Sequence, residues 1–136
     1  MGPVGKKDNT FLIDTHVLLW WLFDDPRLSD TARNTIREPA NHILVSSASA
    51  WEISTKYRLG KLPHAHNAVH HLPALLRRSR MEKLSITFEH ALAAGALPGP
   101  HRDPFDRMLI AQGQLEDLPI VTSDPAFNQY DVRLVW

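Results

Sequence analysis

A chain of 136 residues is long enough to bury one core and too short for two comfortable domains. Its 43% hydrophobic and 22% charged residues are ordinary for a globular protein, and the lack of cysteine rules out a disulfide framework or a thiolate metal site. Fifteen basic and fifteen acidic side chains cancel, so nucleic acid would have to be drawn by local basic patches or bound metal. No apolar run approaches the roughly 20 residues of a membrane span. The start, Met1-Gly2-Pro3-Val4-Gly5-Lys6-Lys7, has no apolar core of the kind a secretory signal needs. Residues 1–9 read as a loose N-terminal tail, and the protein is expected to be cytoplasmic.

In chain order, Phe11-Leu12-Ile13 is a short apolar run ending at Asp14, the pattern of a buried strand. Residues 15–23 follow with almost no polar side chain and read as a helix with apolar contacts on every side. In a domain this small its outer face is expected to stay uncovered by the rest of the chain, leaving an apolar patch for another protein. Asp24-Asp25-Pro26 breaks that helix, and Ser29 looks like the N-cap of a short one stopping near Pro39. His42-Ile43-Leu44-Val45 is a second strand, ended by Ser46-Ser47. A helix over 48–59 follows, with Gly60 as its left-handed stop.

A further helix is expected over 67–80, with Pro73 either in its first turn or bending it. Leu84-Ser85-Ile86-Thr87 reads as a third strand, and 88–97 as an Ala-rich helix closed by Pro98-Gly99-Pro100. Asp103-Pro104 is a strong helix start, because Asp accepts from orphan N–H groups and Pro suits the first helical position. That helix runs to about Glu116; Pro119-Ile120-Val121-Thr122 is a fourth strand and residues 132–136 a fifth. Strands alternating with helices, without hairpin turns, imply right-handed crossovers. The expected fold is a single three-layer α/β/α domain with a mostly parallel sheet of about five strands.

Four acids occupy comparable places in this pattern. Asp14 follows the first strand, Glu52 lies on the helix after the second, Asp106 is in the first turn of the helix begun by Asp103-Pro104, and Asp124 follows the fourth strand. A parallel sheet lets all four converge at one edge, where some must be protonated or joined by a cation. Oxygen ligands without cysteine suit Mg²⁺ or Mn²⁺ better than zinc. The chemistry that uses such a site is phosphodiester hydrolysis by metal-activated water. Each acid also has a plainer role: Asp14 and Asp103 as helix caps, Glu52 with Lys56 as an exposed i,i+4 pair, Asp124 as the start of a turn.

These residues resemble the PIN-domain ribonucleases, most closely the VapC-like toxins of bacterial toxin–antitoxin pairs. The resemblance runs over 10–136. It rests on Leu12-Ile13-Asp14-Thr15, on Ser47 with Trp51-Glu52, on Asp103-Pro104-Phe105-Asp106-Arg107 with Leu109-Ile110-Ala111-Gln112 after it, and on Val121-Thr122-Ser123-Asp124. It implies a magnesium-dependent endoribonuclease, usually a homodimer, silenced by a cognate antitoxin. Asp14, Glu52, Asp106 and Asp124 match the four metal-binding acids, with Asp103, Thr15, Ser47 and Thr122 in support. Many family members have Asn two places after the first acid, where this chain has His16.

Arg102 and Arg107, with Arg77 and Arg78, are the candidate RNA contacts. His66 and His70 stand one helical turn apart beside His64 and His71, but a helical pair lacks the third and fourth ligands of a stable zinc site, so a solvated face is expected. Two rival readings remain at this level. One is a phosphoryl-transfer enzyme with Asp14 as nucleophile, and the other is a binding module whose acids hold a structural cation or a basic segment.

Overall fold

The computed structural model describes residues 8–100 and 102–136. Most of the expected tail lies outside the described residues. Of its last two residues, Asn9 already accepts a backbone hydrogen bond from His42 (2.7 Å). Five strands form one parallel sheet in the order β3-β2-β1-β4-β5. They are β1 (Thr10–Ile13), β2 (His42–Ser46), β3 (Met81–Leu84), β4 (Ile120–Val121) and β5 (Leu134–Val135). The helices between them are α1 (Thr15–Leu22), α2 (Asp30–Arg37), α3 (Ser47–Arg58), α4 (His66–Arg78), α5 (Phe88–Ala96) and α6 (Pro104–Leu115). Parallel neighbours cannot be joined by hairpins, so helices carry each crossover except the last, where the 3₁₀ turn Pro125–Gln129 leads to β5.

The period of two along each strand divides the core into two layers. Ile13, Ile43, Val45, Met81 and Val121 point to one face, under α1 to α4. Leu12 and Ile120, with Leu44, Leu84 and Leu134, point to the other, under α5 and α6. On that second face α6 lies close against β4: a Cβ on Gly113 would stand 3.0 Å from Ile120 Cδ1 and 3.2 Å from the Leu118 carbonyl. The three-layer α/β/α arrangement is the one the sequence implies. Among the described residues, no helix is long and apolar enough to cross a membrane.

Several boundaries differ from expectation for local reasons. The third strand lies at 81–84 rather than 84–87, because Arg80 turns at φ 60° and Met81 at once pairs with Ile43. Thr87 is then released to cap α5. The fourth and fifth strands are shorter, two residues each. Of the two expectations for Pro73 the second holds: α4 bends at His71 (φ −131°), just ahead of the missing N–H. Gly60 stops the chain after α3 at φ 75°, as expected.

The apolar helix α1 is covered by this chain to a larger extent than expected, although Trp20, Trp21 and Leu22 are only half-buried and Phe23 is exposed. Leu28 just ahead of α2, Ala32 and Ile36 of α2, and Leu72 and Leu76 of α4 join Val17, Leu18 and Leu19 in one core. Trp21 donates from Nε1 to Ser79 Oγ (3.1 Å). Trp20 lies between the Trp136 ring (5.8 Å) and the Arg27 guanidinium (5.2 Å). Helices α2 and α4 and the Trp136 ring thus pack against α1 on several sides.

Candidate active site at the sheet's carboxyl edge

From β1 the chain moves outward to β2 and β3, then returns through α5 and α6 to β4 on the other side of β1. The direction of winding therefore reverses between β1 and β4. In open α/β sheets a crevice opens at that reversal, outside the carboxyl ends of the strands. Asp14 and Thr122 are the first residues beyond those two ends. Asp14 N–H donates to the Val121 carbonyl (3.1 Å), and Thr122 N–H to that of Val135 (3.1 Å).

Asp14 is only 5% exposed. Its Oδ1 accepts from Val17 N–H (2.7 Å), capping α1, and its Oδ2 accepts from the Thr122 hydroxyl. The cap and the site acid are thus one residue. The same Thr122 oxygen accepts from Asp124 N–H (3.0 Å), and Asp124 caps the 3₁₀ turn through Ala126 N–H (2.9 Å). Burial pushes the Asp14 carboxyl above its ordinary value of 3.8. The hydrogen bonds from Thr122 and Val17 and the nearby His16 pull it back, while the Asp124 charge adds a smaller push upward. His16 itself is exposed, its ring 6.0 Å from that of Trp20.

The other acids gather where α3 and α6 begin. Trp51 meets the Phe105 ring edge-on at 4.7 Å, which fixes the start of α6 against α3. Asp103 caps α6, its Oδ1 accepting from Phe105 N–H (2.9 Å) and Asp106 N–H (3.1 Å). Glu52 and Lys56 do form the i,i+4 pair, at 2.5 Å, but it is no surface pair: Glu52 is 2% exposed. Lys56 holds Oε2, while Oε1 is buried without a hydrogen-bond partner. Burial alone would lower the Lys56 ammonium's pKa. The Glu52 hydrogen bond and the charges of Glu52, Asp103 and Asp106 reverse that and hold it above 10.5. Lys56 is the counter-ion of Glu52, within electrostatic reach of Asp103 and Asp106.

The site therefore has two parts, Asp14 with Asp124 and Glu52 with Asp103 and Asp106. Among the described residues, no three carboxylate or imidazole side chains are gathered tightly enough to hold an ion as they stand. Helix N-termini meet at this edge, and their positive dipole ends favour carboxylates.

The supporting residues divide differently from expectation. Thr15 is buried and donates to Ser49 Oγ (2.9 Å), tying α1 to α3 just behind Glu52. Ser47 is exposed, its hydroxyl 3.5 Å from the Leu84 carbonyl. Ser49 was legible in the spacing, since it stands three residues before Glu52 on the same helical face. Arg102 is exposed beside Asp103. Arg107 donates to the carbonyls of Ala94 (3.1 Å), Gly95 (3.3 Å) and Leu97 (2.6 Å), closing the end of α5. Arg77 and Arg78 end α4 just before β3 begins, at the opposite edge of the sheet from the acids. His66 and His70 stack on each other at 4.4 Å, and His66 Nδ1 is 2.9 Å from the Tyr57 hydroxyl.

A five-stranded parallel sheet with this reversal, presenting buried carboxylates at its switch point, defines a class of small acid-site α/β domains. The PIN domain family model matches residues 11–133, and the chain belongs to that family. It is similar to the ribonuclease VapC22 of Mycobacterium tuberculosis, 31% identical over 116 residues that span 85% of this chain and 87% of that one. It is also similar to VapC16 of the same organism, 39% identical over 79 residues, though this match spans about half of each protein, 55% and 56%. The fold matches the solved structure of VapBC2 from Rickettsia felis bound to a promoter DNA fragment (TM-score 0.64, 17% identity, 92% of this chain and 96% of that one). It likewise matches that of FitAcB from Neisseria gonorrhoeae (TM-score 0.64, 17% identity, 91% and 95%).

Proposed function

We propose that this chain is the ribonuclease toxin of a toxin–antitoxin pair and that it cleaves RNA phosphodiester bonds with a divalent ion, Mg²⁺ or Mn²⁺. The observation that carries the reading is Glu52. A carboxylate oxygen buried without a partner is costly unless a ligand completes it. This one lies beside Asp103 and Asp106, and oxygen donors of this kind fit a hard cation. Asp14, Glu52, Asp106 and Asp124 would hold the ion, with Asp103 keeping Asp106 in place through the α6 cap. A bound divalent ion would supply a water of lowered pKa and charge stabilisation on the phosphate. Thr122 and Val17 N–H fix the Asp14 carboxylate, leaving each oxygen further lone-pair capacity.

The rival reading of Asp14 as a nucleophile is less well supported. Attack on phosphorus needs an open approach and a nearby proton donor, but Asp14 is 5% exposed and the Thr15 hydroxyl is turned to Ser49. An antitoxin as partner is supported by the fold this chain shares with the VapBC2 and FitAcB structures. A homodimer is supported by Phe88 (86% exposed) and Leu92 (74% exposed), one helical turn apart on the outer face of α5.

The deciding experiment is cleavage of transfer and ribosomal RNA with and without Mg²⁺. The native protein should cut only with the ion, and Asp14→Asn, Glu52→Gln, Asp106→Asn and Asp124→Asn should not cut. Asp103→Asn should be milder, because Asn caps a helix almost as well as Asp. Metal-independent cleavage, or full activity in the amide variants, would overturn the proposal.

A further inference from the structure

Lys56 has no role in the reading above, yet it occupies the centre of one half of the site. An exposed i,i+4 ion pair on a helix is a solvated and weak feature. Here the Glu52 side chain is 3% exposed and that of Lys56 29%, so the pair sits at the wall of the site with only the lysine reaching water. The ammonium is bonded to Glu52 Oε2 and lies within electrostatic reach of Asp103 and Asp106. The second oxygen of Glu52 is buried without a hydrogen-bond partner among the described residues. Resting on the metal-dependent reading, we propose that Lys56 is a built-in competitor for the divalent ion: its ammonium is the resident cation of the buried Glu52 and must leave it when an ion binds there.

The geometry offers the exit. Lysine is a compact charge on a flexible four-carbon stem, and this one is already partly in solvent. If it stayed on Oε2 while an ion took Oε1, two cations would share one buried carboxylate and repel at short range. Lys56 therefore sets a threshold, holding the Glu52 charge compensated until enough divalent ion is present. It is a positioning and competing residue, not a catalytic one.

The test is calorimetric titration of the full chain with Mn²⁺ and with Mg²⁺, alongside melting curves in chelator and in saturating ion. It compares the native protein with Lys56→Gln and Lys56→Arg. Lys56→Gln should bind the ion about tenfold more tightly, a coupling of the size expected when a unit charge is removed at ion-pair distance. It should also melt lower than the native protein in chelator and close to it in saturating ion. Lys56→Arg keeps the charge and should bind as the native protein does. Unchanged or weaker binding by Lys56→Gln would overturn the proposal alone, and weaker binding would mean that Lys56 orients Glu52 for the ion. Absence of ion binding by both the native protein and Lys56→Gln would overturn the metal-dependent reading with it.

Discussion

The Thr122 hydroxyl bonds both Asp14 and Asp124, and replacing it by the nearly isosteric valine isolates that bridge. Thr122 is 3% exposed, so neither partner can turn to bulk water when the hydroxyl goes. A hydrogen bond to a charged group contributes about 1.5–3 kcal/mol. Loss of the acceptor for Asp124 N–H adds up to about 1 kcal/mol more, and the new methyl recovers part of this through burial. The net expectation is about 2–3 kcal/mol, or roughly 6–12 °C in melting temperature for a domain of this size. Urea and thermal unfolding in chelator would measure it. Made in an Asp14→Asn background, the same change should cost about 1 kcal/mol less, because the amide is no longer a charged acceptor. A cost under about 0.5 kcal/mol, or an identical cost in both backgrounds, would show that Thr122 does not anchor the Asp14 carboxylate.

Other outcomes follow from the same geometry. Because Asp14 is held above 3.8 by burial, the folded state binds its proton more tightly than the unfolded chain. Its stabilising contribution is complete below 3.8 and is lost as pH rises through the raised folded value. In chelator, Asp14→Asn should therefore gain on the native protein across that window and keep the gain at neutral pH; unfolding curves that differ by the same amount at every pH would refute this. Gly95 and Gly113 should respond oppositely to alanine. Gly95 has nothing within 4 Å of a new Cβ and should gain up to about 1 kcal/mol in denaturant titration, whereas Gly113→Ala must displace Ile120 and should lose stability. Trp21→Phe removes the bond to Ser79 and should cost about 0.5–1.5 kcal/mol in the isolated chain. A loss seen only with a partner bound would instead mean that α1 needs another protein to cover it.

The layer order was legible because two periodicities alternate cleanly along the chain. Strand residues such as Leu12 and Ile13 go to opposite cores, and caps such as Ser29 and Asp103 stand where their side chains accept from the expected N–H groups. What failed were decisions that depend on register and enclosure. Ile86 and Thr87 look as strand-like as Met81 and Leu84 in isolation, and only pairing with β2 separates them. The apolar surface of α1 looked uncovered because no local pattern announces that Trp136 will lie against Trp20.

The acids were legible for a topological reason. In a parallel sheet every strand ends, and every following helix begins, at the same edge, so an acid repeated at strand ends or in early helix turns is gathered there by connectivity alone. Connectivity does not say how the acids pair. Asp14 and Asp124 are joined through one threonine hydroxyl, and Glu52 is paired with the Lys56 ammonium; both links are side-chain choices made among helical starts. Arg107 shows the same limit from the other side. It stands next to Asp106 in sequence, as an RNA contact should, yet the carbonyls at the end of α5 engage its guanidinium. Lys56, by contrast, reaches this edge by standing one helical turn beyond Glu52, where its ammonium pairs with the buried carboxylate.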